Sequence, residues 1–384
     1  MSSRRIVYWN NIPAPYMVDR FNALARIDPP FCFEAWFSQR NSRRAWAIDE
    51  STWSFPYRYL PRPAVGSRGL AIPTPLLGRR LDLLVSLYAG PSFVTGWRLA
   101  RARGIRTAFW CEVTFDHLVR RRFAKEALKR AMFSRVDGLI TAGQDGERYA
   151  VSRGARPSHV YLLPHVVDVE HFGHGSDLDP QERERRRSAL GLVGPTALYV
   201  GRYVRLKGLD DLLHAFSRVQ QSIATETSLL LVGDGPEEVE LRSLVRELGL
   251  KNVVIHGFVQ QDVLPSVYAL ADCFVFPTLG DTWGLVLEEA MACGLPVISS
   301  TAVGEVSSRI RDGETGFLVP PHGRDQIAAA MTSLLTDSEL RRRIGTAARE
   351  SVQRETPEAW ARRFVDIVDD ILARDGTKRE AHEG

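Results

Sequence analysis

What constrains this chain most is an alternation that runs from end to end: short unbroken apolar stretches separated by helix-length amphipathic ones. RRIVYW (4–9), LDLLVSL (81–87), TAFW (107–110) and DGLITAG (137–143) read as strands in the first half. TALYVG (196–201), SLLLVG (228–233), NVVIHG (252–257), CFVFPT (273–278) and PVISS (296–300) continue the series in the second. A strand that is apolar at every position must be covered on both faces, which helices do in parallel sheets. The chain has 384 residues, too many for one ordinary core, so two domains are expected. The fold class is therefore α/β: two Rossmann-like doubly wound domains facing a central cleft, with ligands at the carboxyl ends of the strands. The break is placed in GHGSDLDPQERERRRS (173–188), which is polar and has no strand pattern. That gives a first domain over 1–175, a second over 176–356, and a C-terminal segment over 357–384. In the last segment Trp360, Phe364, Ile367, Val368 and Ile371 recur at helical spacing, ahead of a polar tail.

Composition excludes several classes. Apolar residues make up 44% and charged residues 25%, which suits a folded globular protein. The four cysteines (Cys32, Cys111, Cys273, Cys293) are scattered, against a disulfide framework or structural zinc. No window approaches the roughly 18 apolar residues of a membrane span, and the N-terminus lacks a signal-peptide core. A cytoplasmic protein is expected. Residues 1–175 carry 26 Lys and Arg against 14 Asp and Glu, so the front half is basic and the rest acidic. The basic stretch HLVRRRFAKEALKRAMFSR (117–135) suits either a solvated face or peripheral contact with an anionic inner membrane face or acidic acceptor. No nucleic-acid reading motif accompanies it.

Four loops of the second half follow strands. After Gly201 come Arg202 and Lys207, a fork and a point charge that can converge on a diphosphate, though such cations also suit a solvated loop. Gly233 and Gly235, on either side of Asp234, allow close backbone approach to a ligand or simply a tight turn. They do not form G-x-G-x-x-G. The stretch from His256 to Val259 ends a strand, and its backbone can meet a flat base edge. In GDTWGLVLEEAMACGLP (280–296) a helix is expected from about Gly284 to Cys293. The N–H groups of Trp283, Gly284 and Leu285 at its start suit a phosphate. Asp281 and Thr282 stand just ahead, and Glu289 lies about 7–8 Å along the axis. One carboxylate can meet a sugar and the other a ribose. The plainer readings are an N-cap for Asp281 or Thr282 and a solvated face for Glu288 and Glu289.

In this order the motifs resemble the group 1 glycosyltransferases, family GT4, which have the GT-B fold. The family pattern G-R-x-x-x-x-K-G, V-G-x-G, G, then E-x7-E matches Arg202 and Lys207, Gly233 to Pro236, Gly257, and Asp281 with Glu289. VGEVSSRIRDGETGFLVPP (303–321) resembles the closing stretch of the family, so the likeness covers about 199–335. It implies that Arg202 and Lys207 hold the donor diphosphate, Glu289 the ribose and Asp281 the transferred sugar. Backbone near Trp283, Gly284 and Leu285 would meet phosphate or sugar, and Val259 and Gly233 would border the base. Asp281 replaces the usual first Glu, which puts donor choice in question.

The first half is less similar. Asn10 and Asn11 stand where many members carry glycines, and LPHVVDVEHF (163–172) has His165-Val166 in place of Asn-Gly. His117 and Glu112 are the acceptor-side candidates. His165, His171 and His174 with Asp168 fit no standard zinc spacing, and Asp177-Leu178-Asp179 lies in the polar stretch, so no metal site is assigned. The resemblance implies a retaining transferase that moves a hexosyl or related residue from an NDP-sugar, with uridine the expected base. The acceptor would be a saccharide, lipid-linked saccharide or small-molecule hydroxyl, and no cofactor or metal is expected. The alternatives are a phosphorylase or nucleotide-sugar epimerase on the same fold, or a non-catalytic nucleotide-sugar-binding subunit.

Overall fold

A computed structural model of the chain describes residues 3–40, 46–61, 73–78, 80–87, 90–112 and 123–374. It divides into two compact units, residues 1–166 with 357–384, and residues 167–356.

The sheet of the first unit has seven parallel strands: β1 (Arg5–Asn10), β2 (Cys32–Phe37), β3 (Tyr57–Tyr59), β4 (Leu83–Leu87), β5 (Arg106–Cys111), β6 (Gly138–Thr141) and β7 (Val160–Leu162). Their order is β3-β2-β1-β4-β5-β6-β7. The second unit contains β8 (Thr196–Val200), β9 (Ser228–Val232), β10 (Val253–His256), β11 (Cys273–Phe276), β12 (Val297–Ser300) and β13 (Gly316–Val319), ordered β10-β9-β8-β11-β12-β13 and also parallel. In each sheet the chain winds outward from its first strand in one direction and then returns to that strand's other side. The reversal lies between β1 and β4 and between β8 and β11, where doubly wound sheets open a ligand crevice.

Strands β2, β3, β7 and β13 were not anticipated. β2 carries Glu34, which pairs with Arg58 of β3, and this masks its apolar character. β3 and β7 have three residues each, too short for a periodic signal.

The boundary also differs from expectation. The units divide after Val166 rather than at 175, and residues 173–188 are not a linker. Val169–Gly175 and Pro180–Ala189 are helices of the second unit, with Asp168 and Asp179 accepting from backbone N–H groups at their starts. The arginines that gave this stretch its polar look dock the second helix. Arg183 donates to the carbonyls of Ala269 and Ala271, and Arg187 to those of Leu270 and Gly194.

The helix Pro357–Ala373 belongs to the first unit, where it packs beside the helix Pro15–Arg26. Trp360, Phe364, Ile367, Val368 and Ile371 are all buried, and the rings of Trp360 and Phe364 stack at 5.2 Å. Burying five such side chains contributes on the order of 10 kcal/mol before conformational entropy is subtracted. Among the described residues no helix is long and apolar enough to cross a membrane.

Candidate active site

The loops after β8 and β9 are stitched by backbone. Gly201 N–H donates to Val232 O at 2.9 Å, and Tyr203 N–H to Asp234 O at 2.6 Å. The Tyr203 hydroxyl reaches the carbonyls of Leu231 and His256 at 2.9 and 2.8 Å. Gly233 and Gly235 are required here. A Cβ on Gly233 would lie 1.9 Å from Gly201 O, one on Gly235 2.2 Å from Tyr203 O, and both have positive φ. Their close approach is therefore to the neighbouring loop. Asp234 joins this seam through its carbonyl. At Gly257 a Cβ would meet nothing within 4 Å. His256 Nδ1 lies 3.1 Å from Gly257 O, the local contact expected of a strand-end histidine, and Val259 is half-buried against the core.

The loops after β8 and β11 meet at the crossover of the sheet. Leu279 N–H donates to Leu206 O at 2.7 Å, and Thr278 Oγ1 to the same carbonyl at 2.9 Å. This brings Lys207 Nζ against Asp281 Oδ2 and over the Phe276 ring, 4.9 Å from its centroid. The side chains are 17% and 19% exposed. Arg202 is exposed and makes no ion pair among the described residues.

Asp281 also answers the start of the helix Leu285–Ala292. Its Oδ1 accepts from Trp283 N–H at 3.0 Å, and Gly284 N–H is directed at the same carboxylate. Two of the three N–H groups expected to await a phosphate therefore face a carboxylate of the chain itself. Burial pushes the Asp281 carboxyl up, but the Lys207 charge and these hydrogen bonds outweigh it and hold the group below the usual carboxylate range. Gly284 is left-handed (φ 73°) and precedes the helix, so the helix starts one residue later than expected. Thr282 is half-buried and is not the cap.

The family model described as "Glycosyl transferases group 1" matches residues 180–351. The chain carries a group 1 glycosyltransferase domain. A D-inositol 3-phosphate glycosyltransferase of Corynebacterium kroppenstedtii is 32% identical over 260 residues, covering 65% of this chain and 57% of that protein. An N-acetyl-alpha-D-glucosaminyl L-malate synthase of Bacillus anthracis is 33% identical over 179 residues, 46% of each chain. The chain thus spans about half the length of the curated relatives it matches. Among solved structures, Anabaena HepE in complex with UDP and glucose superposes with a TM-score of 0.77 at 17% identity, over 96% of this chain and 100% of that one. Sucrose-phosphate synthase from Thermosynechococcus elongatus gives 0.78 at 22% identity, over 97% and 100%. The fold is GT-B.

Within the group 1 glycosyltransferase domain, neither acid of the Glu288-Glu289 pair lies on a solvated face. Glu289 Oε2 accepts from the Tyr268 hydroxyl at 2.8 Å. Tyr268 is fully buried, and burial followed by the nearby Glu289 charge raises its pKa well above the ordinary value. Glu288 is 6% exposed and pairs with Arg309, which also donates to Trp283 O and stacks 4.2 Å from the Trp283 ring. Burial raises the Glu288 carboxyl despite that partner. Arg309 thereby fixes the backbone at the helix start. The sequence reading missed both Tyr268 and Arg309. Each acts through another residue, and neither is a named position of the motifs quoted above.

In the first unit, Asn10 ends β1 at the crossover, and its Oδ1 accepts from Asn11 N–H at 2.6 Å. The Asn11 carbonyl accepts from Gln39 N–H. Glu112 follows β5 at the carboxyl edge and accepts from Trp110 Nε1 at 3.1 Å. His117 lies outside the described residues, as does part of the basic stretch 117–135. Within the described part, Lys129 donates to Glu126 and the Tyr149 hydroxyl, and Arg153 lies in an ion pair with Glu126. Some of that charge is therefore spent inside the unit. Asp168 and Asp179 serve as caps, and among the described residues no group of three His, Cys, Asp or Glu is arranged to hold a metal. His165 packs against Arg20 of the helix Pro15–Arg26.

Proposed function

We propose that this chain is a retaining glycosyltransferase that moves a hexosyl residue from an NDP-sugar to a saccharide, lipid-linked saccharide or small-molecule hydroxyl. The observation that carries this is the meeting of Lys207 and Asp281 at the β8/β11 crossover, beside exposed Arg202 and ahead of a helix that carries Glu289. The group 1 match over the same residues supports it. The UDP and glucose named for the Anabaena structure favour a UDP-sugar.

When the glycosidic bond breaks, negative charge grows on the leaving diphosphate. Arg202, Lys207 and the helix start stabilise that charge. Donor entry exchanges the Asp281 carboxylate for phosphate as the partner of Lys207. Asp281 then accepts from sugar hydroxyls, and Glu289, steadied by Tyr268, accepts from the ribose. The base lies along the open backbone at Gly257 and Val259. The acceptor attacks on the face the leaving group departs from, and a phosphate oxygen takes its proton. No resident metal enters these steps.

A thermal-shift panel of nucleotide sugars, followed by assay of NDP release with and without saccharide acceptors, tests the reading. A ligand at about a hundred times its Kd stabilises by about 2.7 kcal/mol. The expected result is a shift with one donor and acceptor-dependent NDP release. No shift with any nucleotide sugar would sink it.

A further inference from the structure

The first unit holds a buried charge that the reading above does not use. Arg20 is 0% exposed, on the helix face that also buries Met17, Phe21 and Leu24. No carboxylate among the described residues lies within ion-pair distance of it, and its Nε has no hydrogen-bond partner there. Its contacts are neutral: Val166 O at 2.9 Å, Met17 Sδ at 3.4 Å, the Tyr16 and Trp360 rings, and His165 Nδ1 at 3.0 Å. A buried guanidinium placed among neutral groups costs several kcal/mol, so the position needs a reason.

The imidazole supplies one. A guanidinium can only donate, so His165 Nδ1 must accept, and the ring proton sits on Nε2. Nε2 lies 3.6 Å from Glu112 Oε1, the oxygen that also accepts from Trp110 Nε1. His165 is 6% exposed, whereas the Glu112 side chain is 41% exposed at the carboxyl edge of β5. The groups around the ring are Arg20 and Tyr16 from the helix, Trp110 from β5, Glu112 just after it, and nearby Tyr8 from β1. Guanidinium, imidazole and carboxylate thus form a line from the interior to the ligand edge, with one proton arrangement open to the middle member.

We propose that Glu112 is the acceptor-binding carboxylate, taking a vicinal diol of a saccharide, and that Arg20 and His165 are positioning residues that fix its orientation. This rests on the transferase reading above. A carboxylate pairs two adjacent hydroxyls well when its plane is held; Trp110 Nε1 donates to Glu112 Oε1, and His165 Nε2 lies 3.6 Å from the same oxygen. His165 occupies the place where the family pattern has Asn, so the device belongs to this chain's own acceptor.

The test uses the full chain with the nucleotide sugar that gives the largest thermal shift. Free monosaccharides and their methyl glycosides serve as acceptors, and NDP release is the readout. Glu112→Gln should raise the acceptor KM about tenfold or more, with the donor-induced thermal shift unchanged. His165→Leu should do the same. His165→Gln, whose amide can both accept from Arg20 and donate to Glu112, should return KM to within about threefold of wild type. An acceptor KM within twofold of wild type in Glu112→Gln, or equal KM values for His165→Leu and His165→Gln, overturns the proposal. If His165→Leu does not fold, Glu112→Gln decides alone, since glutamine keeps the shape of the native side chain. A wild-type chain that gives a thermal shift with no nucleotide sugar and turns over no acceptor fails the transferase reading itself, and the proposal with it.

Discussion

Replacing Lys207 with Ala should do two separable things. It removes a cation from the proposed donor site, and it strands Asp281. Breaking a fully buried ion pair costs about 3–5 kcal/mol because the remaining charge is left uncompensated. Here the side chains are 17% and 19% exposed, and Asp281 keeps two backbone N–H partners, so the cost is smaller. Adding about 0.5–1 kcal/mol for the lost contact with the Phe276 ring, the expected destabilisation is about 2–3 kcal/mol at pH 7. The pH dependence follows from the sign of the shift. A carboxyl held below its ordinary value stabilises the fold above the unfolded pKa, and that stability is lost as pH falls through the folded value. Without Lys207, burial is opposed only by the backbone bonds, and much of that stabilisation disappears. The gap between wild type and Lys207→Ala should therefore be widest near pH 7 and close below about pH 4, the ordinary aspartate range. Urea midpoints at several pH values measure it, and Lys207→Ala/Asp281→Asn should recover part of the loss. A gap that is constant with pH, or under about 0.5 kcal/mol at pH 7, refutes the reasoning.

Arg202→Ala has no such structural cost. It should leave the urea midpoint within about 0.5 kcal/mol of wild type and cut turnover by about a hundredfold or more; unchanged turnover contradicts its assignment to the diphosphate. Glu288→Gln should destabilise by about 2–3 kcal/mol in denaturant melts, because Arg309 loses its buried partner. Gly235→Ala should cost more than about 3 kcal/mol, read from soluble yield and melting temperature, because backbone rather than a yielding side chain occupies the space. Steady-state turnover should survive prolonged dialysis against a strong chelator, and loss of activity restored by one divalent ion would contradict the metal-free mechanism.

Much of the second unit was legible from sequence because its signals are local. Continuous apolar strands announce a parallel sheet, and each loop motif directly follows its strand. What stayed hidden depends on partners distant in the chain. Lys207 and Asp281 are 74 positions apart, and nothing local says that they pair. The glycines at 233 and 235 look the same in sequence whether they admit a ligand or a neighbouring loop. The polar helix 180–189 read as linker because its arginines are matched by carbonyls, which leave no mark on composition. In the first unit the overlooked clue was Arg20. It falls on the buried face of an otherwise regular amphipathic helix, beside Met17, Phe21 and Leu24.

The placement of the helix Pro357–Ala373 has a consequence for how the chain matures. The second unit is inserted within the first, whose hydrophobic interior is completed only by residues translated after the second unit. On the ribosome the usual N-to-C order of domain completion is therefore inverted. The second unit can close while the first still waits for Trp360 and Phe364. A stop codon just before Pro357 would leave a first unit with an open apolar face, prone to aggregation, attached to a second unit whose own core is intact.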